Sequence, residues 1–538
     1  MSNWNFVDAW RGIVRAQPDH VALEQGERRV TWREFVDEVE ALGSHLDSLG
    51  LAPQSTVALY LYNCPEYLIG FGAALAAGHV PINTNYRYGD DELRYLFDNA
   101  DTRVVIFHGA FVDQVAELRD KLPALVEFIF VDDGTTSCPS WATSFEEARA
   151  TPRGVLPTLS GDGLMMLYTG GTTGMPKGVM WRQDDLFVRL NEAGFLRYPE
   201  DATVDDVPRL IEESGQHPSL LPACPLMHGT GLFTSLRSLS EGGRVVLLEG
   251  RSFDAHELVE TLETRSVRGA VIVGDPFARP MLQVLREHPR RFTLASLQVI
   301  GSSGAMWSQE VKEGLLELIP HVLLADAFAS SEALGMGSSV SSKEHLVPTA
   351  QFKLGEHSRV VDETGRSVGP GSDDIGQLVL GGRNPLGYYK DAVKTAATFP
   401  VIDGVRYVVP GDMARVGADG TIHLLGRGSQ CINTAGEKVF PEEVEETLKT
   451  HPDVVDACVV GVSDDHFGQR VVAAVELHLG REVSEHELIA HVKSRLASYK
   501  APRAVRFVAS IGRAVNGKMD YKRHQTEAAQ WVATLAND

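Results

Sequence analysis

Short β-branched runs alternate with helical patterns from about residue 30 to 335, and this alternation constrains the fold more than any other feature of the chain. TVALYLYN (56–63) reads as a strand and PEYLIGFGAALAAG (65–78) as a buried helix. VPINTN, DDELRYLFDNA and RVVIF then repeat strand, helix, strand. RVVLLEG (244–250), DAHELVETLETR (254–265), AVIVGD (270–275) and a helix starting near Pro276 carry the pattern on. Strands separated by helices of this length predict parallel, doubly wound sheets with right-handed crossovers, hence an α/β fold.

The period then changes twice. From about 336 to 425, Gly-rich punctuation such as VDETGRSVGPG and VGADGTIHLLG predicts hairpins and a small antiparallel, β-barrel-like subdomain. After Gly426 the sequence FPEEVEETLKTHP sets Pro441 at a helix start with glutamates in the first turn. SEHELIAHVKSRL offers Ser484 and Glu487 as a capping box. A chain of 538 residues exceeds one compact core. The expected division is a large N-terminal domain over 1–426, a hinge at 427–430 and a small α+β C-terminal mobile domain over 431–538. The acidic stretch 191–222 looks like an insertion covering a site.

Lys plus Arg number 50 and Asp plus Glu 72, a formal charge of −22, which argues against nucleic acid as a partner because phosphate backbones need a basic footprint. A small polyanion needs only a local nest of donors. The five cysteines are scattered with no CxxC spacing, as in reduced thiols of a cytoplasmic protein. The opening MSNWNFVDAWRG lacks the character of a signal peptide. The longest apolar stretch, Tyr67 to Ile82, carries three glycines and a histidine and falls short of a membrane span. Peripheral membrane contact and a homodimer stay open.

The strongest local signal is YTGGTTGMPKG, Tyr168 to Gly178, which follows the apolar run LMML. Its glycines let backbone N–H groups approach phosphate oxygens, threonine hydroxyls add donors, and Lys177 adds charge. It is not a Walker A loop, since Lys177 lies between Pro176 and Gly178. No GxGxxG opens a helix after the first strand, and GSSGA (301–305) is one residue short of GxSxG, so neither a dinucleotide site nor a hydrolase elbow is supported.

TGGTTGMPKG resembles the phosphate-binding signature of the adenylate-forming superfamily, the acyl-CoA synthetases, adenylation domains and luciferases. The resemblance runs in order from about residue 20 to 525. GSSGA fits the adenine-side loop, DAFASSE (326–332) the aromatic-Gly-any-Thr-Glu motif, Gly411-Asp412 the ribose pair and Gly426-Arg427 the hinge start. GEKVFPEEVE (436–445) fits the first helix of the mobile domain and NGK (516–518) the catalytic lysine. In wording (GGTTGMPKGVMWR, GDPFARP, INTAGEKVFPEEVE) it is similar to bacterial synthetases for sterol-side-chain or fatty carboxylates.

The resemblance implies an acid-CoA ligase that uses ATP, Mg²⁺ and coenzyme A and forms acyl-AMP before the thioester. Thr169, Gly170, Gly171, Thr172, Thr173, Gly174 and Lys177 would cradle the phosphates. Ser303, Gly304, Ala305, Asp326, Ala327, Phe328 and Ser331 would surround the base. Phe328 would stack where Tyr is usual, Ala329 replaces the usual Gly, and Ser331 replaces Thr. Asp412 would accept the ribose hydroxyls beside Arg427. Glu332 would hold Mg²⁺, and Lys518 would act in the first half-reaction, with Thr172 the third catalytic group. Gly436, Glu437 and Lys438 would line the pantetheine path, with GVSDDHFGQ (461–469), Lys500 and Arg503 facing coenzyme A. His228 and Gly229 would lie beside the acid. Ser429 and Gln430 depart from the family's hinge, where Asp is usual. The rival readings are an adenylation enzyme loading a carrier protein in trans, a luciferase-type oxygenase, and a nucleotide-binding regulator without chemistry.

Overall fold

The computed structural model describes residues 3–171, 174–434, 437–464, 468–514 and 518–535. Helix Pro65–Ala76 explains how the N-terminal part is layered. It is buried on every face, from Tyr67 and Leu68 to Phe71 and Leu75, so it lies inside the molecule and not on its surface. A Cβ on its Gly72 would come within 2.8 Å of Trp10 and 2.9 Å of Val39. Glycine is therefore what lets helices Phe6–Ala16 and Trp32–Ser48 close on it.

Two large mixed sheets flank this packing. In the eight-stranded sheet Val80–Asn83, Thr56–Tyr60, Thr102–His108 and Glu127–Val131 run parallel, with the hairpin Leu164–Gly171 and Gly174–Arg182 and the short strand Gly387–Tyr388 at one end. In the thirteen-stranded sheet Leu323–Phe328, Val299–Ser303, Gly269–Ile272, Ser219–Pro222, Arg244–Leu247 and Val21–Gln25 follow one another in parallel. The alternation read from about 30 to 335 is thus a doubly wound arrangement divided between two sheets. The antiparallel strands of 337–427 pair onto Leu323–Phe328 through Gly337–Ser341 and run on along the same open ladder, so the barrel-like unit continues the parallel half.

Residues 191–222 do not cap a site. Helix Val207–Ser214 packs along Phe6–Ala16, where a Cβ on Gly12 would meet Val207 at 2.9 Å. Tyr198 joins Trp4 and Phe187 in an aromatic cluster, its ring 5.1 Å from that of Trp4. The segment is a buttress for the N-terminus.

Past Arg427 a separate sheet of five strands forms around the antiparallel pair Val454–Asp464 and Gly468–Leu477, with Ala504–Val508 parallel to the latter. Val444, Leu448, Val459, Val475 and Leu488 make an apolar cluster of its own under helices Pro441–Lys449 and Glu485–Lys493. The expected capping box is half formed. Ser484 Oγ accepts from Glu487 N at 3.1 Å, while the Glu487 carboxylate turns toward His451 Nε2, 3.7 Å away. Among the described residues no helix is long and apolar enough to cross a membrane.

Candidate active site

The Gly- and Thr-rich loop is the tip of a β-hairpin anchored by buried Met165, Met166 and Leu167. Thr169 stands opposite Lys177, and Gly171, next to Gly170, opposite Gly174. Thr172 and Thr173 lie outside the described residues. The outer strand of the hairpin pairs with Gly387–Tyr388, which delivers two side chains to the loop. Asp391 Oδ2 lies 2.5 Å from Lys177 Nζ, and that bond holds the Asp391 carboxyl below its ordinary pKa. The loop's lysine is therefore charge-balanced, not free. Tyr388 Oη donates to Glu332 Oε1 at 2.7 Å, and Trp181 Nε1 donates to Ser331 O at 3.0 Å. Burial and then Glu332 raise the Tyr388 pKa, so it remains a donor.

Asn83, at the carboxyl end of Val80–Asn83, ties the hairpin to the acid side of the cleft. Its Nδ2 donates to Tyr168 O (2.8 Å) and Met227 O (2.7 Å), and its Oδ1 accepts from Tyr168 N at 2.6 Å. His228 follows Met227 directly and precedes helix Gly229–Ser240.

The base-side residues cluster at the carboxyl ends of adjacent parallel strands, where α/β sheets gather ligands. Ser303 and Ala327 are register partners, with Phe328 one residue on. Gly304 turns with φ +93°, and a Cβ there would face Thr230 and Val273 at 3.7 Å. Behind Ala305, a Cβ on Gly274 would strike Met306 O at 2.3 Å, so only glycine admits that backbone. Phe328 is half-buried and tilted on Phe352 at 5.8 Å between ring centres. Ala329 keeps a negative φ, so replacing glycine there strains nothing. Asp326 is engaged by Lys312 Nζ at 3.2 Å, both side chains being buried. Burial raises the Asp326 pKa and Lys312 opposes it.

Asp412 and Arg427 face each other across Asp412–Val416 and Thr421–Arg427, with Nε 3.8 Å from Oδ1. Burial raises the Asp412 pKa, Arg427 counters, and Glu332 raises it further, so both carboxylates act on one space. Lys518 comes to the same space from the C-terminal part. Its O accepts from Ala514 N at 2.9 Å, and Arg513 forks onto Asp456 at 2.6 and 2.9 Å, which anchors the segment. Lys518 keeps contact with water, yet the crowding of the cleft lowers its pKa, Arg427 lowers it further and Glu332 opposes both. Lys518 and Arg87 add to burial in pushing His228 down to about 4, so that imidazole is neutral at pH 7. Glu442 docks the C-terminal part: a Cβ on Gly426 would lie 2.3 Å from its Oε2, and burial followed by Asp412 pushes its carboxyl up to about 7.

The expected coenzyme A face is only partly described. Glu437 and Lys438 are exposed on strand Glu437–Val439, whereas Gly436 and residues 465–467 lie outside the described residues. Lys500 is not a surface cation: it is 8% exposed and bonded to Glu443. Arg503 is exposed. Sequence reasoning missed Asn83, Arg87, Lys312, Tyr388, Asp391 and Glu442. Only Asn83 left a signal, a polar residue ending the apolar run VPIN at a strand's carboxyl end.

A solved anthranilate CoA ligase in complex with anthranoyl-AMP superposes with a TM-score of 0.83 at 22% identity, covering 99% of each chain. The chain belongs to the AMP-binding enzyme family: the model of that description matches residues 10–389, and that of the AMP-binding enzyme C-terminal domain matches 443–518. It is 38% identical to a 3-oxocholest-4-en-26-oate–CoA ligase of Rhodococcus rhodochrous over 96% of this chain and 95% of the relative. It is 37% identical to a medium/long-chain-fatty-acid–CoA/3-oxocholest-4-en-26-oate–CoA ligase of Mycobacterium tuberculosis, over 97% and 96%.

Proposed function

We propose that this chain is an ATP-dependent acid-CoA ligase whose acid is hydrophobic, a sterol side-chain or medium- to long-chain fatty carboxylate. The observation that carries the reading is that Glu332, bonded to Tyr388 on the strand paired with the 164–182 hairpin, and Arg427, 3.8 Å from Asp412, both lie near enough to Lys518 to shift its pKa. A carboxylate oxygen is already a competent nucleophile toward the α-phosphorus of ATP, so the enzyme needs no base. It must align two anions and offset the charge that develops.

The hairpin backbone from Thr169 to Lys177 would hold the β- and γ-phosphates. Ser303 to Ala305 and Asp326 to Phe328 would bracket the base, with the Phe328 face available for stacking. Asp412, beside Arg427, would accept the ribose hydroxyls. Glu332 suits Mg²⁺: Tyr388 holds one carboxylate oxygen, and carboxylate oxygen is the hard donor that ion prefers. Bound there, the ion would neutralise phosphate charge. The Lys518 ammonium would steady the acid carboxylate against the α-phosphate while the new P–O bond forms and pyrophosphate departs. Neutral His228 would wall the acid side without exchanging a proton at pH 7.

In the second step the sulfur of coenzyme A attacks the acyl carbonyl and AMP leaves with the bonding electrons. The segment 427–430 is the proposed hinge between 1–426 and 431–538, and rotation there would withdraw Lys518 and bring Glu437 and Lys438 to the cleft. The support for a hydrophobic acid is the substrate named for each full-length relative. Scoring AMP release over sterol side-chain, fatty and aromatic acids, with and without coenzyme A, tests this. Release of AMP and thioester from hydrophobic acids is expected. Transfer only to a holo-carrier protein would replace coenzyme A as acceptor, and no AMP from any acid would defeat the reading.

A further inference from the structure

We propose that His256, Glu287 and His288 form a binding site for a divalent transition-metal cation of the zinc class, separate from the ATP cleft. One ring nitrogen from each histidine and one carboxylate oxygen of Glu287 lie within 4.8 Å of one another. Tetrahedral coordination at about 2.0–2.1 Å places ligand atoms roughly 3.3 Å apart. His256 and Glu287 are exposed and His288 is half-buried, so small rotamer changes close that difference without moving backbone.

The roots of these side chains are fixed. His256 lies in the first turn of helix Ala255–Thr264, where Asp254 Oδ1 accepts its backbone N–H at 2.7 Å. Glu287 ends helix Asp275–Glu287, and the His288 N–H caps it on Val284 O at 3.1 Å. Leu258 and Leu262 of the first helix share an apolar cluster with Met281, Leu282 and Leu285 of the second, so the two helices are packed as one unit. The ligands are also oriented. The histidine rings meet edge to face at 5.6 Å, Phe292 stands edge-on to His288 at 6.3 Å, and Gln283 Nε2 donates to Glu287 Oε1 at 2.8 Å. Outer contacts of this kind hold ligating groups in place. Arg291, three residues past His288, is paired with Glu260 and adds no unbalanced positive charge.

Two imidazoles and one carboxylate select zinc, cobalt or nickel over magnesium and calcium, which prefer all-oxygen shells. The fourth position is left to water. Helix Asp275–Glu287 begins at the 301–306 loop, where Asp275 N donates to Met306 O at 3.1 Å, and its thirteen residues carry the triad about 20 Å from that loop. Such a cation would pin two helix ends of the parallel sheet and leave the chemistry untouched.

The test is calorimetric titration of the untagged, chelator-stripped full chain with Zn²⁺ and Co²⁺, against Mg²⁺ as control. His256→Ala and His288→Ala should each lose one equivalent of bound Zn²⁺, and Glu287→Gln should weaken that equivalent roughly tenfold. Zn²⁺ should raise the melting temperature of the wild type more than that of either histidine variant, with Mg-ATP-dependent AMP release equal in all. Retention of wild-type Zn²⁺ stoichiometry and affinity in either histidine variant overturns the proposal, as does equal heat from Mg²⁺.

Discussion

Replacing Asn83 with alanine removes three hydrogen bonds at once, all to backbone: Tyr168 N, Tyr168 O and Met227 O, at 2.6 to 2.8 Å. Asn83 is 4% exposed, so water does not readily take its place. Net loss of about 1 kcal/mol per bond sets a floor near ~3 kcal/mol, and stranded dry partners raise it toward ~5 kcal/mol. The same cut frees the hairpin base from the His228 segment, and misplacement on the order of 1 Å costs about a hundredfold in rate. Asn83→Asp should be worse, since it keeps the acceptor for Tyr168 N but turns a carboxylate oxygen toward two carbonyls. Urea unfolding followed by intrinsic fluorescence, together with acid-dependent ATP–pyrophosphate exchange, reads both effects. An Asn83→Ala protein with an unchanged urea midpoint and undiminished exchange would refute the clamp.

Tyr388→Phe deletes the bond to Glu332 and should lower kcat/KM for ATP about 10- to 150-fold, from ~1.5–3 kcal/mol for a hydrogen bond to a charged group, and shift the Mg²⁺ titration. Asp391→Ala frees Lys177 and should change the KM for ATP while leaving the acid's KM alone, as steady-state kinetics with each substrate varied would read. Glu442 holds its proton more tightly docked than free, because burial and Asp412 raise its pKa from 4.5 to about 7. Docking of the C-terminal part is thus unpenalised below about 4.5, penalised progressively from there up to about 7, and penalised by a constant amount above that. Adenylation should fall relative to thioester formation as pH rises from about 4.5 to about 7 and level off above that, and Glu442→Gln should flatten the fall.

What the sequence disclosed was local. Strand and helix alternation survives because each element carries its own apolar pattern and caps, as Pro441 and Ser484 do at their helices. The glycine- and threonine-rich hairpin was legible because donor density is a composition signal. The sharing of strands between two sheets was not, since Leu323–Phe328 bears no mark that its next neighbour, Gly337–Ser341, runs antiparallel. Nor were the supports of the cleft. Lys312 belongs to a helix that reads as amphipathic and solvated, yet it lies beneath Asp326. Tyr388 reaches Glu332 across 56 positions of sequence and Asn83 reaches Met227 across 144, pairings that only the packed chain creates. Lys500 erred the other way: its charge suggested a surface, and Glu443 drew it inside.

The most direct test separates the two half-reactions of Lys518→Ala. Supplied with ATP, acid and Mg²⁺, the variant should form almost no acyl-AMP in a single turnover. Supplied with synthetic acyl-AMP and coenzyme A, it should make thioester at close to the wild-type rate. Equal loss of both steps, or acyl-AMP formation at the wild-type rate, would contradict a lysine that serves the first reaction and then leaves the cleft.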